Sequence, residues 1–469
     1  MITHKMNSMK HIKLSLSILA LGMVVLTAST SSCKKQLEVD AVGYVSQDSA
    51  IRNETDLLNL INSGYFAFAD GNYYGGNYQV YSELLADHLD GSALGGDYQG
   101  VYTRNANIFN TGVSDLYAQM NKPVFQANSA LDFINLASAA NKNSIEGQAK
   151  FMRAMAQFDL VRLFAQPYKA ATAASEPGIP LRLTSARKQY QRSSVAEVYA
   201  QIIADLKDAE AKLPPTNGVY ATKWSAKALL AQVYFQMNDF PNAYLYSNDV
   251  LTNGGFPLDA NYSKRISSTG TPEAMLQFVY ETNNTQGRFQ NLRNAFLSNG
   301  SALPALRLTQ DFYTKATSVS SDNRKPWYHV VNGFYLLGKF DTASFKLPVL
   351  YTTQMKLIRA ESAAETNTNL AQAITDMNDI LRRAYGPTSP LLLSTGASAG
   401  LIKDAARRER ELELVGEGNR VQELKRIGAK GETITIRGSV YNCPGMVLPF
   451  PTNEVNYNGF LQNPTGGCN

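Results

Sequence analysis

The sequence contains little cysteine or histidine: three Cys and four His among 469 residues. Two of the histidines, His4 and His11, lie at the extreme N-terminus, which leaves His88 and His329 in the body of the chain. Zinc sites need four Cys or His ligands, or three and a water, at close spacing, and this inventory cannot supply them. We therefore expect no metal site built from Cys and His, and no cofactor.

An excess of one charge is also missing from most of the chain. The formal net charge is +5, but residues 1–32 hold three Lys and no acidic residue. The remainder has 41 basic and 39 acidic residues, a net charge of +2. Nucleic-acid-binding proteins usually carry a strong basic bias, so we expect no nucleic acid partner.

Motifs that carry catalytic chemistry are scarce. The metalloprotease pattern HExxH, the phosphate loop GxxxxGK[ST] and the dinucleotide fingerprint GxGxxG are missing. Carboxylate pairs such as Glu83 and Asp87 would serve glycoside hydrolysis only if a cleft held them about 5–9.5 Å apart. At this acidic content such pairs occur often by chance on solvated faces. We expect a protein without enzymatic activity and keep a surface glycoside hydrolase as a weaker alternative.

The N-terminus has the pattern of an export signal. A basic segment ending at Lys13 precedes the apolar run Leu14–Ala28, and small residues lead to Cys33. The run is shorter than the roughly 20 residues of a membrane-spanning helix. Cys33 is either incidental to a plain signal peptidase site or the lipid-bearing first residue of a lipoprotein. We predict the lipoprotein, with residues 1–32 as its signal, because the polar tether Lys34–Gln36 follows at once.

Export also affects how the two remaining cysteines, Cys443 and Cys468, are interpreted. In an oxidising compartment an even pair near the C-terminus can form a disulfide. Two unpaired, buried thiols are an almost equal alternative.

Apolar residues recur at helical spacing over much of the chain. Residues 195–213, 222–238, 241–252 and 370–385 show this pattern, and Ala231 and Ala243 lie where helix pairs of tetratricopeptide repeats pack most closely. We expect a mainly α scaffold of such pairs at about 124–164, 195–253 and 351–385. Two loop-rich excursions, at about 70–117 and 254–350, contain Gly, Asn and short β-like runs, so minor β structure belongs there.

Aromatic residues mark the candidate ligand site. Eight of the 25 Tyr fall within residues 65–117, many of them among Gly, Asn and Asp. Flat aromatic faces stack on sugar rings, although the same side chains could instead pack beneath a loop. We predict Tyr74, Tyr98 and Trp327 for stacking, Asn105 for a hydroxyl bond, and Tyr102 and Tyr335 as further members of the site.

Several segments, in order along the chain, resemble the SusD/RagB family of outer-membrane nutrient-binding lipoproteins. The most specific is ERELELVGEGNRVQELKRIG at 409–428, although Gly416 replaces the usual aromatic residue and Glu423 the usual Asp. The others are Gly64-Tyr65, GQAKFMRAMAQFDLVRLF at 147–164, TKWSAKALLAQVYF at 222–235, Asp322-Asn323-Arg324 and LPFPTNEVNYNGFLQNP at 448–464. The alternating charges at 407–426 favour a structural lattice over a catalytic set.

The resemblance implies a single nutrient-binding domain over residues 33–469. It further implies a lipid-anchored location at the cell outer membrane, with no other membrane attachment, and a SusC-like TonB-dependent transporter as partner. The ligand would be an oligosaccharide or, as in some relatives, a peptide. The Tyr-rich segments do not distinguish the two.

Overall fold

The computed structural model describes residues 50–279 and 289–468. The unit that begins at Asn53 contains all the structure discussed below. The predicted signal sequence and Cys33 lie outside the described residues. No helix in the described ranges combines the length and apolar character needed to span a membrane.

The scaffold is mainly α-helical, as the periodicity predicts. In chain order the helices are α1 Glu54–Phe68, α2 Asn77–Leu85, α3 Gly96–Tyr102, α4 Thr111–Asp132, α5 Lys142–Phe164, α6 Val195–Lys212, α7 Lys223–Gln236, α8 Phe240–Asn253, α9 Gln290–Phe296, α10 Gln310–Thr317, α11 Thr352–Thr366, α12 Leu370–Tyr385, α13 Ala399–Glu413, α14 Arg420–Lys430 and α15 Thr452–Asn458. Helix α5 packs on α4 and α6, α7 on α6 and α8, and α11 on α8, α12 and α13. Consecutive helices therefore pack as pairs throughout the scaffold.

Local sequence signals account for the boundaries of these pairs. Ser194 and Glu197 form a reciprocal capping box at the start of α6. The Asp239 side chain caps α8, where Pro241 occupies a first-turn position that needs no amide hydrogen. Ala231 of α7 and Ala243 of α8 are both fully buried, and the two helices pack on each other, as expected for small side chains at a close helix contact.

The β structure is minor and lies mostly in the middle excursion. The strands are β1 Leu89–Asp90, β2 Pro177–Pro180, β3 Arg192–Ser194, β4 Ala274–Phe278, β5 Arg307–Leu308, β6 Tyr328–Val331, β7 Phe334–Leu337, β8 Leu347–Tyr351, β9 Thr435–Ile436 and β10 Ser439–Val440. One four-stranded antiparallel sheet has the order β1-β5-β7-β6, and three two-stranded pairs are β4-β8, β2-β3 and β9-β10. The sheet joins the first excursion, through β1, to the second.

The first excursion contains more helix than its composition suggests. Helices α2 and α3 and the start of α4 all fall between residues 70 and 117. Every residue of α2 is buried, and its tyrosines Tyr78 and Tyr81 are part of the core. Gly and Asn in this segment therefore form the turns between short helices instead of one long loop.

A buried ion network joins the middle excursion to the C-terminal helices. The Glu413 carboxylate accepts hydrogen bonds from Arg383 at 2.9 Å, Arg265 at 3.3 Å and Arg324 at 3.2 Å. Burial would raise the pKa of Glu413, but these three guanidinium groups lower it to about 2. Arg324 also donates to Glu409 at 2.8 Å. The alternating charges of residues 407–426 thus form a structural lattice.

Candidate ligand-binding face

Three of the predicted ligand residues lie together on α3 and the turn that follows it. Tyr98 is half-buried and meets Tyr81 edge-to-face, with ring centroids 5.8 Å apart. Tyr102, also half-buried, donates from its hydroxyl to the Leu89 carbonyl at 3.2 Å. Asn105 is exposed. The two rings are thus anchored by protein contacts, and the exposed amide beside them in sequence has donors and acceptors available for hydrogen bonds.

The C-terminal segment forms a wall of this surface. A disulfide joins Cys443 to Cys468, with their Cα atoms 5.2 Å apart. Within the enclosed loop, the Gly445 amide donates to the Gly466 carbonyl at 2.8 Å. A Cβ atom at Gly445 would lie 2.0 Å from the Arg104 carbonyl oxygen, so only glycine permits this close approach. The disulfide loop therefore packs directly on the turn after α3.

The four-stranded sheet connects this surface to Tyr335. Leu89 of β1 lies opposite Leu308 of β5, which lies opposite Tyr335 of β7. Two strand spacings separate Leu89 from Tyr335, a distance of about 10 Å. The Tyr335 ring is half-buried and packs on Tyr313, with centroids 4.6 Å apart. Tyr335 thus lies in the same sheet as Leu89, the residue whose carbonyl binds Tyr102, and two strands away from it.

Trp327 lies at the opposite edge of this sheet, just before β6. Its amide donates to the Arg324 carbonyl at 2.8 Å, so the ion network positions its backbone. Its half-buried ring meets Tyr262 edge-to-face at 5.1 Å, and the Lys339 ammonium lies 4.6 Å from the ring centroid. Tyr262 and Lys339 thus cover part of the indole, and only the rest of its surface is available to contact a ligand.

Tyr74 does not belong to this face, which corrects the sequence prediction. Its side chain is only 7% exposed. Its hydroxyl donates to Asp159 at 2.8 Å, and its ring packs on Tyr73, at 4.9 Å, and Tyr78, at 5.0 Å. Burial, and then the Asp159 charge, raise the pKa of Tyr74. A ring enclosed in this way cannot stack on a ligand.

An open aromatic pocket that the sequence pattern did not indicate lies elsewhere on the scaffold. A cavity of about 270 Å³ is lined by residues of α1, of the loop before α7 and of the end of β4. Tyr220 lies edge-to-face on Tyr65 at 5.2 Å and donates to the Asn62 amide oxygen at 2.7 Å. Tyr65 belongs to the Gly64-Tyr65 motif, Asn62 lies in an ordinary helical pattern and Tyr220 stands alone in its loop, so no local signal indicated that the three share a pocket.

A catalytic arrangement does not emerge from the described residues. The segment Gly396–Gly400 matches G-x-S-x-G, the pattern of a hydrolase nucleophile elbow. Ser398, however, is the N-cap of α13, and its hydroxyl accepts from the Leu401 amide at 3.3 Å. No strand precedes it as the elbow requires. Residues 50–279 and 289–468 also contain no group of three or more His, Cys, Asp or Glu able to hold a metal ion.

Two known protein families match this chain, one over its N-terminal part and one over its C-terminal part. Residues 44–235 match the SusD-like family described as "starch-binding associating with outer membrane", and residues 339–465 match the SusD family. The chain belongs to the SusD family. The family includes carbohydrate-binding proteins.

Individual relatives are distant in sequence but similar in extent and fold. SusD-like protein P2 from Formosa agariphila is 26% identical over 482 residues, covering 88% of this chain and 92% of that protein. A SusD superfamily structure from Bacteroides thetaiotaomicron superposes with a TM-score of 0.76 at 22% identity, covering 88% of this chain and 100% of that one. A laminarin-binding SusD-like protein has a TM-score of 0.69 at 20% identity, with the same coverage. At these identities the solved structures establish the fold alone.

Proposed function

We propose that this SusD family protein is a cell-surface lipoprotein that captures an oligosaccharide and passes it to a SusC-like TonB-dependent transporter. The observation that carries the proposal is the match to carbohydrate-binding SusD families at both ends of the chain. The export signal ending at Cys33 supports a lipid anchor, since one acylated cysteine is a surface attachment and not a membrane span.

The α3 face is the proposed site of glycan contact. Tyr98 is held by its edge-to-face contact with Tyr81, and Tyr102 by its hydrogen bond to the Leu89 carbonyl, so little side-chain entropy is lost when a sugar stacks on Tyr98 and contacts the edge of Tyr102. The exposed Asn105 amide offers both a donor and an acceptor for hydroxyl groups. Tyr335 and the free part of Trp327 extend the proposed site across the sheet to its far edge.

The test is a binding measurement combined with an assay for hydrolysis. Purified protein carrying Cys33→Ala is titrated calorimetrically with laminarin oligosaccharides, chosen because one structural neighbour is named as laminarin-binding. A glycan array then surveys other polysaccharides, and released reducing ends are measured in parallel. We expect binding to at least one glycan without release of reducing ends.

The outcomes separate the alternatives. Release of reducing ends that is lost on substitution of a carboxylate would establish a glycoside hydrolase and overturn the proposal. Binding of peptides but of no glycan would favour the peptide-transport alternative. Transfer is tested in outer membranes, where the lipidated protein should co-purify with a TonB-dependent barrel protein. A lipidated protein that is found alone would contradict the partnership.

A further inference from the structure

Two arginine side chains converge beside the α3 face. Arg104 follows Tyr102 directly after α3, and Arg437 lies in the turn between β9 and β10. The Arg437 guanidinium lies over the Tyr102 ring, 3.8 Å from its centroid, and donates to the Leu84 carbonyl at 2.9 Å. One aromatic ring of the proposed ligand face therefore carries a cation on its surface.

These guanidinium groups lack the partners that buried arginines normally have. Arg104 is 4% exposed, yet its Nε and Nη2 atoms are buried without a hydrogen-bond acceptor. The Nε atom of Arg437 is buried and unpartnered too, as it is in five other arginines of the described residues, so the distinctive member of the pair is Arg104, which lacks a partner at two atoms. In the described part of the chain neither arginine forms an ion pair with a carboxylate, whereas Arg324 and Arg383 each bind at least two. Three buried donors without acceptors at one place are costly unless something else binds them.

The charge balance at this place is unfavourable as well. Burial, followed by the positive charge of Arg437, lowers the pKa of Arg104 to about 10. Asp87 is the acidic side chain that contributes here, but both of its oxygens already accept from Arg420 at 2.8 Å. Two neighbouring positive charges without an unpaired carboxylate beside them would stabilise an anion bound at this place.

Both arginines also have backbone conformations that side chains rarely adopt. The φ angles are +58° at Arg104 and +47° at Arg437. Arg437 and Gly438 form the two-residue turn between Ile436 and Ser439, where the first position strongly favours Asn, Asp or Gly. Strained positions of this kind persist where the side chain is needed in that place.

We propose that Arg104 and Arg437 form an anion-binding subsite that takes the carboxylate or sulfate group of an acidic sugar. Their unpartnered N–H groups match the forked geometry with which guanidinium groups bind such oxyanions. The half-buried Tyr102 ring lies below Arg437, and the exposed Asn105 follows Arg104, so a sugar stacked on the α3 face carries its acidic group toward the pair. The inference rests on the proposed glycan-binding function and specifies an acidic glycan.

The first experiment tests the anion subsite without any glycan. Thermal unfolding of the purified protein is measured with sodium sulfate and with sodium chloride at equal ionic strength. We expect sulfate to raise the melting temperature above its value in chloride. Sulfate also stabilises folded proteins non-specifically, so Arg104→Gln and Arg437→Gln should each reduce this difference to that background, whereas Arg187→Gln, at an exposed arginine outside the subsite, should retain the full difference. Equal sulfate effects in the wild type and both subsite variants would overturn the proposal.

The second experiment uses glycans and separates the two proposals. Oligosaccharides of matched length, one set neutral (laminarin) and one set of uronates (alginate), are titrated into wild type and the two Gln variants, with circular dichroism confirming that each variant is folded. We expect an acidic set to bind at least ten-fold more tightly to the wild type than to Arg104→Gln. Neutral glycan binding that neither variant changes, without a sulfate effect, would overturn the subsite and leave the glycan function intact. A specific sulfate effect without binding to any glycan would support the subsite and count against the glycan function.

Discussion

The Tyr74 hydroxyl donates to Oδ2 of Asp159 over 2.8 Å, and Tyr73 donates to the same oxygen over 2.7 Å. The other Asp159 oxygen accepts from Arg162. Two adjacent tyrosines in a glycine-rich segment thus anchor the turn before α2 on helix α5. Their rings serve packing, and their hydroxyl groups satisfy a buried carboxylate.

Tyr74→Phe should therefore reduce stability and leave ligand affinity unchanged. The substitution removes one hydrogen bond to a buried charge, at a cost of about 1–2 kcal/mol in the free energy of unfolding. Denaturant unfolding and calorimetric titration with the glycan found by screening measure the two quantities. A ten-fold loss of affinity with unchanged stability would show that Tyr74 contacts the ligand after all.

Removal of the aromatic rings on the proposed face should instead weaken ligand affinity. Tyr98→Ala and Trp327→Ala each remove a stacking surface worth about 1–2 kcal/mol, which corresponds to a roughly ten-fold weaker affinity. Phe125→Ala, at an exposed ring on α4, is the matched control and should bind normally. Full affinity in both site variants would disprove the site, whatever happened to their melting temperatures.

The contact between α7 and α8 can be tested by overpacking it. Ala231 is fully buried, so Ala231→Leu should lower the free energy of unfolding by about 1–3 kcal/mol. Ala200→Leu adds the same atoms at an exposed position of α6 and should have little effect. Equal melting temperatures for the two variants would contradict close packing at Ala231.

Anchoring depends on one residue outside the described structure. If Cys33 carries the lipid, Cys33→Ala should move the protein from the membrane fraction to the soluble fraction of the cell envelope. Mass spectrometry of the wild-type N-terminal peptide should show the acyl modification. A mutant that stays with the membrane, together with an unmodified wild-type peptide, would refute acylation.

Stability should depend on pH through His88. Burial would lower the pKa of His88, but hydrogen bonds to Glu411 and Glu83 and the nearby charges of Glu83 and Asp87 raise it above its ordinary 6.5. A raised histidine pKa contributes stability that is complete below pH 6.5 and is lost as the pH rises through the folded-state value.

When the pH is raised from about 6 to about 9, the melting temperature of the wild type should therefore fall by more than that of His88→Gln. Parallel profiles for wild type and His88→Gln would show that His88 makes no such contribution.

Local sequence signals predicted the scaffold well because helices α6, α7 and α8 carry their own caps and apolar faces. They could not separate Tyr74 from Tyr98, since both lie among Gly and small polar residues. The difference is Asp159, which lies 85 residues beyond Tyr74 and meets it only in the folded chain. Arg104 and Arg437 were missed for the same reason, because their common environment depends on tertiary contacts.

The ion network around Glu413 has a consequence for how the molecule can be divided. Its arginines come from three separate parts of the sequence, represented by Arg265, Arg324 and Arg383, and the carboxylate itself belongs to α13. A fragment that omitted any one part would remove at least one ion pair from this buried network and weaken the charge balance of the groups that remain, which destabilises the fold. The middle excursion and the C-terminal helices must therefore gain their structure cooperatively. Truncated forms expressed to map ligand binding should fail to fold, whereas point substitutions on the outer face remain informative.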